Sequence, residues 1–274
     1  MPAYSRAPAQ PIWRHAGASH VLKGETSPHT LMVQNPNEIS SHACRNLPSR
    51  RRKAEKIIRI LEHERTLLGA EVLDVGAGAG VIAAQLADKT GPTGKVAAVD
   101  VDDQRIVQEG FTFRQVEGTT LPFPDESFDI VVSNHVIEHV GRRSAQLAHL
   151  HEIHRVLRKD GLAYLAVPNR WAVVEPHYGL AFLSWLPRPV ADAYLRLTRN
   201  RTPYDCHPPG PVRLKRLLRA ARLQSSSAAG RAIQAMNDLE EGGTATRMAA
   251  LLPTSLLDFL WPVLPTYILL LRRD

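Results

Sequence analysis

Apolar residues along this chain fall into two patterns: short continuous runs and stripes at helical spacing. Short apolar runs bounded by turn residues predict buried strands, and apolar residues three or four positions apart predict helices. The predicted strands are 71–75, 95–100, 113–116, 128–134, 161–168 and 266–271. The predicted helices are 49–67, 79–89, 145–157 and 211–221. This alternation indicates an α/β fold, in which a mostly parallel sheet carries helices on both faces.

The regular alternation is broken at three places, and these breaks predict the domain organisation. Residues 1–48 are rich in Pro, Ser, His and Asn with weak periodicity, so we expect a flexible basic arm ahead of one domain at 49–274. Residues 169–211 are expected to form a helical insertion that caps the substrate site, because connections of that length are usually functional. A second helical insertion is expected at 231–264, before the last strand.

Composition and charge narrow the class of protein. Apolar residues make up 44% of the chain and charged residues 22%, which is ordinary for a globular protein. The formal net charge of +7 is concentrated near the basic run at 50–53. A basic arm attracts any polyanion. Because no nucleic-acid-binding module accompanies the arm, we expect no nucleic acid partner, whereas anionic lipid headgroups remain an alternative.

Cysteine content and hydropathy favour a cytoplasmic location. The two cysteines, Cys44 and Cys206, make no CxxC pair, so neither a disulfide framework nor a thiolate metal site is indicated, and we expect no metal. The N-terminal residues lack the continuous apolar core of a secretory signal. The most apolar stretch, 251–271, contains Asp258 and three prolines, which argue against a membrane-spanning helix. Peripheral contact with a membrane surface remains an alternative, and the sequence does not predict an oligomeric state.

The stretch VLDVGAGAG at 72–80 joins a predicted strand to a predicted helix. Glycine at such a turn lets the backbone approach a ligand and adopt positive φ, although tight packing alone would also require it. A dinucleotide site needs the spacing GxGxxG, and here Val81 stands where the third glycine belongs. Asp100 ends the next strand, where a carboxylate can accept hydrogen bonds from both hydroxyls of an adenosine ribose. The pattern predicts an adenosine-containing cofactor.

Four motifs in order extend this pattern: VLDVGAGAG, AAVDVDD, VEGTTLPFPDESFDIVVSNHVIEHV and LHEIHRVLRKDGLAYLAVPN. Together they resemble the class I S-adenosylmethionine-dependent methyltransferases, specifically the type 11 or ubiquinone-biosynthesis-like group. The resemblance implies a Rossmann-like sheet of seven strands with the last strand antiparallel, and S-adenosylmethionine as cofactor. The cofactor-binding residues that it implies are Asp74, Gly76, Ala77, Gly78, Asp100, Val101, Glu117, Asn134 and His135.

Methyl transfer from a sulfonium is an in-line displacement that needs alignment, plus a base only if the acceptor must lose a proton. The candidate catalytic residues are His135, His139 and His177, of which His177 is the favoured base because an acid lies nearby. The predicted insertion supplies candidate acceptor-binding residues that mix titratable and aromatic groups: Glu175, Tyr178, Trp185 and Tyr204. An alternative is that these aromatic residues are the core of the cap.

The sequence therefore predicts a methyltransferase that acts on an oxygen or carbon of a small, lipid-like or sugar-containing metabolite. Two alternatives remain open. One is an NAD-dependent oxidoreductase, which Val81 disfavours. The other is a sensor protein that binds S-adenosylmethionine without catalysis.

Overall fold

The computed structural model describes residues 47–199, 204–239 and 243–274. The predicted arm at 1–48 lies outside the described residues except for its last two positions. The central feature is a seven-stranded sheet. Its strands are β1 (Glu71–Val75), β2 (Lys95–Asp100), β3 (Thr112–Gln115), β4 (Phe128–Asn134), β5 (Leu157–Pro168), β8 (Leu223–Ser227) and β9 (Thr266–Arg273).

The strand order is β3-β2-β1-β4-β5-β9-β8, with β1 at the point where the chain switches direction across the sheet. Strands β1 to β5 pair in parallel, and β9 is antiparallel to both β5 and β8. In this register Leu73 pairs with Ala97 on one side and Val131 on the other. The predicted Rossmann-like sheet with an antiparallel last strand is confirmed. Ligands in such sheets bind beyond the carboxyl ends of the strands, at the switch point.

Helices cover both faces of the sheet, as the apolar stripes predict. Helices α1 (Leu47–Glu62), α2 (Val81–Thr90) and α6 (Ala229–Asp238) contribute to one apolar core, and α3 (Arg143–Val156) and α5 (Pro211–Ala220) to the other. Alternate residues of each strand enter opposite cores: Val72 is in the first core and Leu73 is in the second. Because both faces are buried, the central strands are apolar along their whole length.

The segment between β5 and α5 has its own elements. A two-stranded sheet pairs β6 (Val174–Glu175) with β7 (Leu180–Ala181), and α4 (Arg188–Arg199) follows a short 3₁₀ turn. Buried side chains of this segment form a third, smaller apolar cluster: Leu180, Leu183, Ala191, Leu195, Tyr204 and Cys206. Between β8 and β9 lie α6, α7 (Thr244–Ala249) and α8 (Thr254–Phe259). Whether these two segments act as insertions that cap a substrate stays a prediction.

Three local features differ from the sequence-based expectation. Strand β8 is absent from the predicted set because LQSSS has one apolar residue, and most of this edge strand is exposed. The predicted helix at 49–67 begins at Leu47 and ends at Glu62. Strand β5 begins at Leu157, four residues before the predicted start. Within the described ranges, no helix combines the length and the apolar character needed to cross a membrane.

Candidate functional site

A cavity of about 880 Å³ lies at the carboxyl edge of the sheet, where the segments after β1, β2 and β4 meet. Its wall includes the glycine loop after β1, Asp100 and Val101 at the end of β2, and Asn134 and His135 at the end of β4. The segment after β5 adds His177 and Tyr178 to the same wall. One cavity therefore joins the predicted cofactor residues other than Asp74 and Glu117 to all three predicted catalytic residues, His135, His139 and His177.

The glycine loop is shaped by its own packing. Gly76 has φ 81°, and a Cβ there would overlap Val136 Cγ2. Gly80 has φ 79°, and a Cβ there would overlap the carbonyl oxygen of Val107. Glycine is thus required at both positions by neighbouring protein atoms. Gly78 also has a positive φ, 50°, which favours glycine, although a Cβ there would meet Arg50 Nη1 at an ordinary 3.5 Å. Packing against Val136 and Val107 therefore explains why glycine stands at positions 76 and 80. The loop itself forms part of the cavity wall.

Asp100 connects the ends of β1 and β2. Its Oδ2 accepts a hydrogen bond from the Gly78 N–H at 2.8 Å, and its Oδ1 accepts one from the Val101 N–H at 2.7 Å. The Asp102 N–H makes a longer bond of 3.5 Å to Oδ1 as well. A carboxylate oxygen has two lone pairs, so Oδ2 keeps acceptor capacity, and Oδ1 would gain it if the long bond to Asp102 opened. Asp100 lies on the cavity wall. Its position therefore fits a ligand with two adjacent hydroxyls, as an adenosine ribose has.

Asp74 is a buried acid beneath the loop. Its side chain is 1% exposed, and neither carboxylate oxygen has a hydrogen-bond partner within the described part of the chain. Burial, with a smaller contribution from the Asp100 charge, raises the pKa of Asp74 to about 8. Asp74 is not part of the cavity wall, so its carboxyl would act on a cationic group in the cavity from behind the loop. S-adenosylmethionine carries an ammonium and a sulfonium, so the residues present fit this cofactor.

The wall next to β2 fits an apolar ring. Val101 is 51% exposed although it is apolar, and it lines the cavity together with Thr119 and Leu121. Glu117, the predicted adenine partner, is exposed and is not part of the wall, although the adjacent Gly118 is. The structure thus places Val101, but not Glu117, where a cofactor ring could contact it.

His135 follows β4 in an unusual backbone conformation. Its φ is 59°, a left-handed value that costs energy in a residue with a side chain, and its N–H donates to the Ala166 carbonyl at 3.0 Å. The imidazole lines the cavity, and its Nδ1 lies 3.2 Å from Glu138 Oε1. Burial lowers the pKa of His135, which keeps the ring neutral at pH 7.

Glu138 lies between two histidines. Its side chain is fully buried, and its Oε1 lies 3.2 Å from His135 Nδ1 and 3.4 Å from His177 Nε2. Neither carboxylate oxygen has a described partner in hydrogen-bond geometry. Although burial raises the pKa of Glu138, the two imidazoles bring it down to about 2. The site therefore holds a buried negative charge within reach of both cavity histidines.

His177 lies between two acids. Its Nδ1 is 2.9 Å from Glu175 Oε1, and its Nε2 is 3.3 Å from His139 Nε2. Although burial lowers the pKa of His177, the Glu138 and Glu175 carboxylates raise it to about 9. At neutral pH these acids keep His177 protonated. A protonated imidazole cannot accept a further proton. His135, whose ring is neutral, is therefore better placed than His177 to accept a proton from a bound acceptor.

The four predicted acceptor-binding residues lie in different surroundings in the structure. Tyr178 lines the cavity and donates its hydroxyl to Asp205 Oδ1 at 2.9 Å. Glu175 and Tyr204 are buried behind the wall, and Tyr204 belongs to the apolar cluster of its segment. Trp185 is 41% exposed outside the cavity, and its Nε1–H donates to the Ala172 carbonyl. Only Tyr178 of these four reaches the wall.

Two cations on the wall were not among the predicted site residues. Arg50 and Lys53 of α1 line the cavity on the side of the glycine loop. Their sequence signal, the basic run at 50–53, predicts a general attraction for anions and does not distinguish these two from their exposed neighbours Arg51 and Arg52. The helical period explains the difference, because residues 50 and 53 lie on one face of α1.

Comparison with protein families identifies the core of the chain. A family model described as a methyltransferase domain matches residues 73–165, which run from β1 into β5 and include the glycine loop, Asp100 and His135. Residues 73–165 are therefore a methyltransferase domain. The predicted resemblance and cofactor are confirmed. His177 and Cys206 lie outside the matched part of the methyltransferase domain.

Curated relatives of the methyltransferase domain include ubiquinone/menaquinone biosynthesis C-methyltransferases. The protein of Xanthomonas oryzae pv. oryzae is 30% identical over 135 residues, which cover 44% of this chain and 51% of the relative. The protein of Cupriavidus metallidurans is 29% identical over 136 residues, which cover 45% of this chain and 55% of the relative. The chain thus spans about half the length of the curated relatives it matches.

Solved structures similar to this chain include other methyltransferases. A 1,6-didemethyltoxoflavin-N1-methyltransferase of Burkholderia thailandensis, with its substrate and S-adenosylhomocysteine bound, is 17% identical with a TM-score of 0.46. The alignment covers 82% of this chain and 78% of that one. A putative sarcosine dimethylglycine methyltransferase of Galdieria sulphuraria is 14% identical with a TM-score of 0.49, over 81% of this chain and 86% of that one.

Proposed function

We propose that the protein transfers a methyl group from S-adenosylmethionine to an oxygen or carbon of a small, lipid-like or sugar-containing metabolite. The observation that carries this proposal is the single cavity shared by Asp100, His135 and Tyr178. A cofactor held at Asp100 and an acceptor held near Tyr178 would meet beside His135. Such alignment is the main requirement of an in-line displacement.

The bound cofactor supplies an electrophilic methyl group on a sulfonium. Asp100 would hold the ribose, Val101 would contact the adenine, and the carboxyl of Asp74 would balance the cofactor's positive charge from beneath the loop. Gly76, Ala77, Gly78 and Asn134 line the wall between these groups and would contact the rest of the cofactor. Glu117 would need to rotate from its exposed position to take part.

We propose His135 as the base for an acceptor that must lose a proton. Glu138 lies 3.2 Å from His135 Nδ1, so an Nδ1–H directed at this carboxylate leaves Nε2 to accept a proton. Glu138 is therefore a positioning residue rather than a group that touches the acceptor. His139 and His177 also line the cavity and remain candidates for contact with the acceptor.

Exposed aromatic residues support an acceptor that is lipid-like or contains a sugar. Trp171 and Phe182 are 53% and 47% exposed, and each packs edge to face against Trp185, with ring centroids 5.9 Å and 5.0 Å apart. Solvent-exposed aromatic clusters suit contact with sugars, acyl chains or membrane interfaces. Peripheral contact of this segment with a membrane surface is part of the proposal, and a cytoplasmic location remains our expectation.

The test is a search for the methylated acceptor. Purified protein and isotopically labelled S-adenosylmethionine are incubated with a cell extract, and mass spectrometry identifies metabolites that gain one methyl group. The proposal predicts such a product with the wild-type protein and a loss of about 10²- to 10⁴-fold in its formation with His135→Ala, the usual contribution of a general base. Tight binding of cofactor without any methylated product would instead support the sensor alternative.

A further inference from the structure

Three side chains that are distant in sequence converge beside the cavity: His139, His177 and Cys206. His139 follows β4, His177 lies in the turn between β6 and β7, and Cys206 lies between α4 and α5. His139 is 38 residues from His177 and 67 residues from Cys206. Only His139 belongs to the matched methyltransferase domain, so the combination is a feature of this chain's segment after β5.

The donor atoms of these residues lie close together. His139 Nε2 lies 3.3 Å from His177 Nε2, and the other nitrogen of the same ring, Nδ1, lies 3.9 Å from Cys206 Sγ. One ion can take only one of these two nitrogens. With one donor atom taken from each residue, all three atoms lie within 4.8 Å of one another. Bond lengths of about 2.0–2.3 Å to tetrahedral zinc place neighbouring ligand atoms roughly 3.3–3.8 Å apart. Small side-chain movements would therefore close the site around an ion.

The second nitrogen of His177 is oriented as in metal-binding histidines. Its Nδ1 lies 2.9 Å from Glu175 Oε1, while Glu175 Oε2 accepts the N–H groups of His177 and Tyr178 at 2.8 Å and 2.7 Å. Glu175 is 1% exposed, so this carboxylate is fixed in place. A carboxylate that binds the far nitrogen of a metal-ligating histidine fixes its tautomer and ring orientation.

The surroundings of the three residues carry negative charge. Glu138 is fully buried, and its Oε1 lies 3.4 Å from His177 Nε2 and 3.2 Å from His135 Nδ1. Asp205 Oδ1 lies 3.5 Å from Cys206 Sγ. Glu138 and Glu175 are buried, whereas Asp205 is exposed. In the free protein the two buried carboxylates hold a proton on His177, and a bound cation would take over the role of that positive charge.

We propose that His139, His177 and Cys206 bind one divalent transition-metal ion, with zinc as the expected metal. Two imidazole nitrogens and a thiolate are borderline-soft ligands that suit zinc and do not suit magnesium or calcium. The ion would link the segment after β5 to the end of β4. It would replace both the thiol proton of Cys206 and the proton that Glu138 and Glu175 hold on His177, and one imidazole nitrogen of each histidine would be the ligand.

Zinc and cobalt(II) binding to the full-length chain test this site directly. After treatment with a chelator, the protein is titrated with Zn²⁺ against a competing dye and with Co²⁺ in an absorbance titration. We expect one ion per chain and a thiolate-to-cobalt charge-transfer band. The chain has two cysteines, so the band should persist in Cys44→Ser and disappear in Cys206→Ser.

Histidine and acid variants complete the test. His177→Gln should abolish stoichiometric zinc binding, whereas His151→Gln, an exposed histidine of α3, should bind zinc like the wild type. Glu175→Gln should weaken zinc binding by about 10- to 100-fold, as loss of an orienting carboxylate does. If Cys206→Ser does not fold, the band in Cys44→Ser alone still assigns the thiolate.

Three results would overturn the proposal. The first is the absence of stoichiometric zinc binding by the wild-type protein. The second is a cobalt spectrum without a thiolate band in Cys44→Ser. The third is unchanged zinc affinity in Cys206→Ser, which would assign the ion to His135, Glu138 and His177, whose donor atoms also lie within 4.8 Å of one another. None of these measurements depends on methyl transfer.

Discussion

Asp100 Oδ2 accepts a hydrogen bond of 2.8 Å from the Gly78 N–H, so the carboxylate proposed to hold the cofactor also fixes the loop beneath it. The Val101 N–H, 2.7 Å from Oδ1, holds the other oxygen. With a longer bond of 3.5 Å from the Asp102 N–H, three backbone groups set the orientation of this carboxylate before any ligand arrives. The Asp100 carboxylate oxygens would therefore already be oriented when a ribose binds. This reduces the entropy lost on binding.

Asp100→Asn should weaken the binding of S-adenosylhomocysteine by about 1.5–3 kcal/mol, the range for hydrogen bonds to a charged group. The amide removes the negative charge and directs an NH₂ group at either the loop or the ribose. Isothermal titration calorimetry measures the change. Asp88→Asn, at an exposed position of α2, is the matched control and should bind like the wild type. A change of less than threefold in Kd for Asp100→Asn would mean that the carboxylate does not contact the ligand.

Binding of S-adenosylhomocysteine should release a proton from Asp74. Burial and the nearby Asp100 charge raise its pKa to about 8, so the carboxyl is mainly protonated at pH 7 in the free protein. The ammonium of the ligand favours the carboxylate, which lowers this pKa in the complex. Calorimetry at pH 7 in buffers of different ionisation enthalpy should detect net proton release that declines above pH 8. Proton release that persists in Asp74→Asn would assign it to another group.

Asp74 should also make the free protein less stable as the pH rises. The folded-state pKa of about 8 exceeds the ordinary value of 3.8, so between these values the folded state binds more protons than the unfolded state. The free energy of unfolding therefore falls by at most about 1.4 kcal/mol per pH unit in that window through this group. Urea titrations from pH 5 to pH 8 should show a smaller decline for Asp74→Asn than for the wild type. Identical slopes would contradict the raised pKa.

Arg50→Gln should weaken binding of S-adenosylhomocysteine more than Arg51→Gln does. Arg50 lines the cavity, and its Nη1 would be 3.5 Å from a Cβ at Gly78, whereas Arg51 is exposed. The ligand carries a carboxylate that a guanidinium can bind. Methylthioadenosine, which lacks that carboxylate, provides the control because its affinity should be equal for both variants. Equal loss of S-adenosylhomocysteine affinity in the two variants would show that only overall charge matters.

Sequence patterns predicted most of the sheet and the part of the cavity wall formed by the ends of its strands. The apolar runs predicted six of the seven strands. Five of these are largely buried, and the sixth, β3, is an edge strand that is mostly exposed. The exposed LQSSS strand lacks an apolar run. Asp100, Asn134 and His135 follow strands, so the carboxyl-edge rule for parallel sheets brings them together. Glycine at 76 predicted close approach of the backbone, and the neighbour that requires it is Val136.

The arrangement around His177 could not be predicted in the same way. His139, His177 and Cys206 meet only because β6, β7 and the chain after α4 fold back towards the end of β4. Those elements are two residues long or irregular, so they leave no periodic signal. A single cysteine in such a segment has no spacing partner, and the sequence predicted no metal site. Contact across 38 and 67 residues is a property of the fold.

The most direct test of the central claim compares the binding of S-adenosylhomocysteine and NAD by calorimetry with the wild-type protein and Asp100→Asn. The account predicts that S-adenosylhomocysteine binds once per chain, that NAD binds at least a hundredfold more weakly (about 2.7 kcal/mol), and that the variant loses S-adenosylhomocysteine affinity. Tight NAD binding with no response to S-adenosylhomocysteine would contradict it.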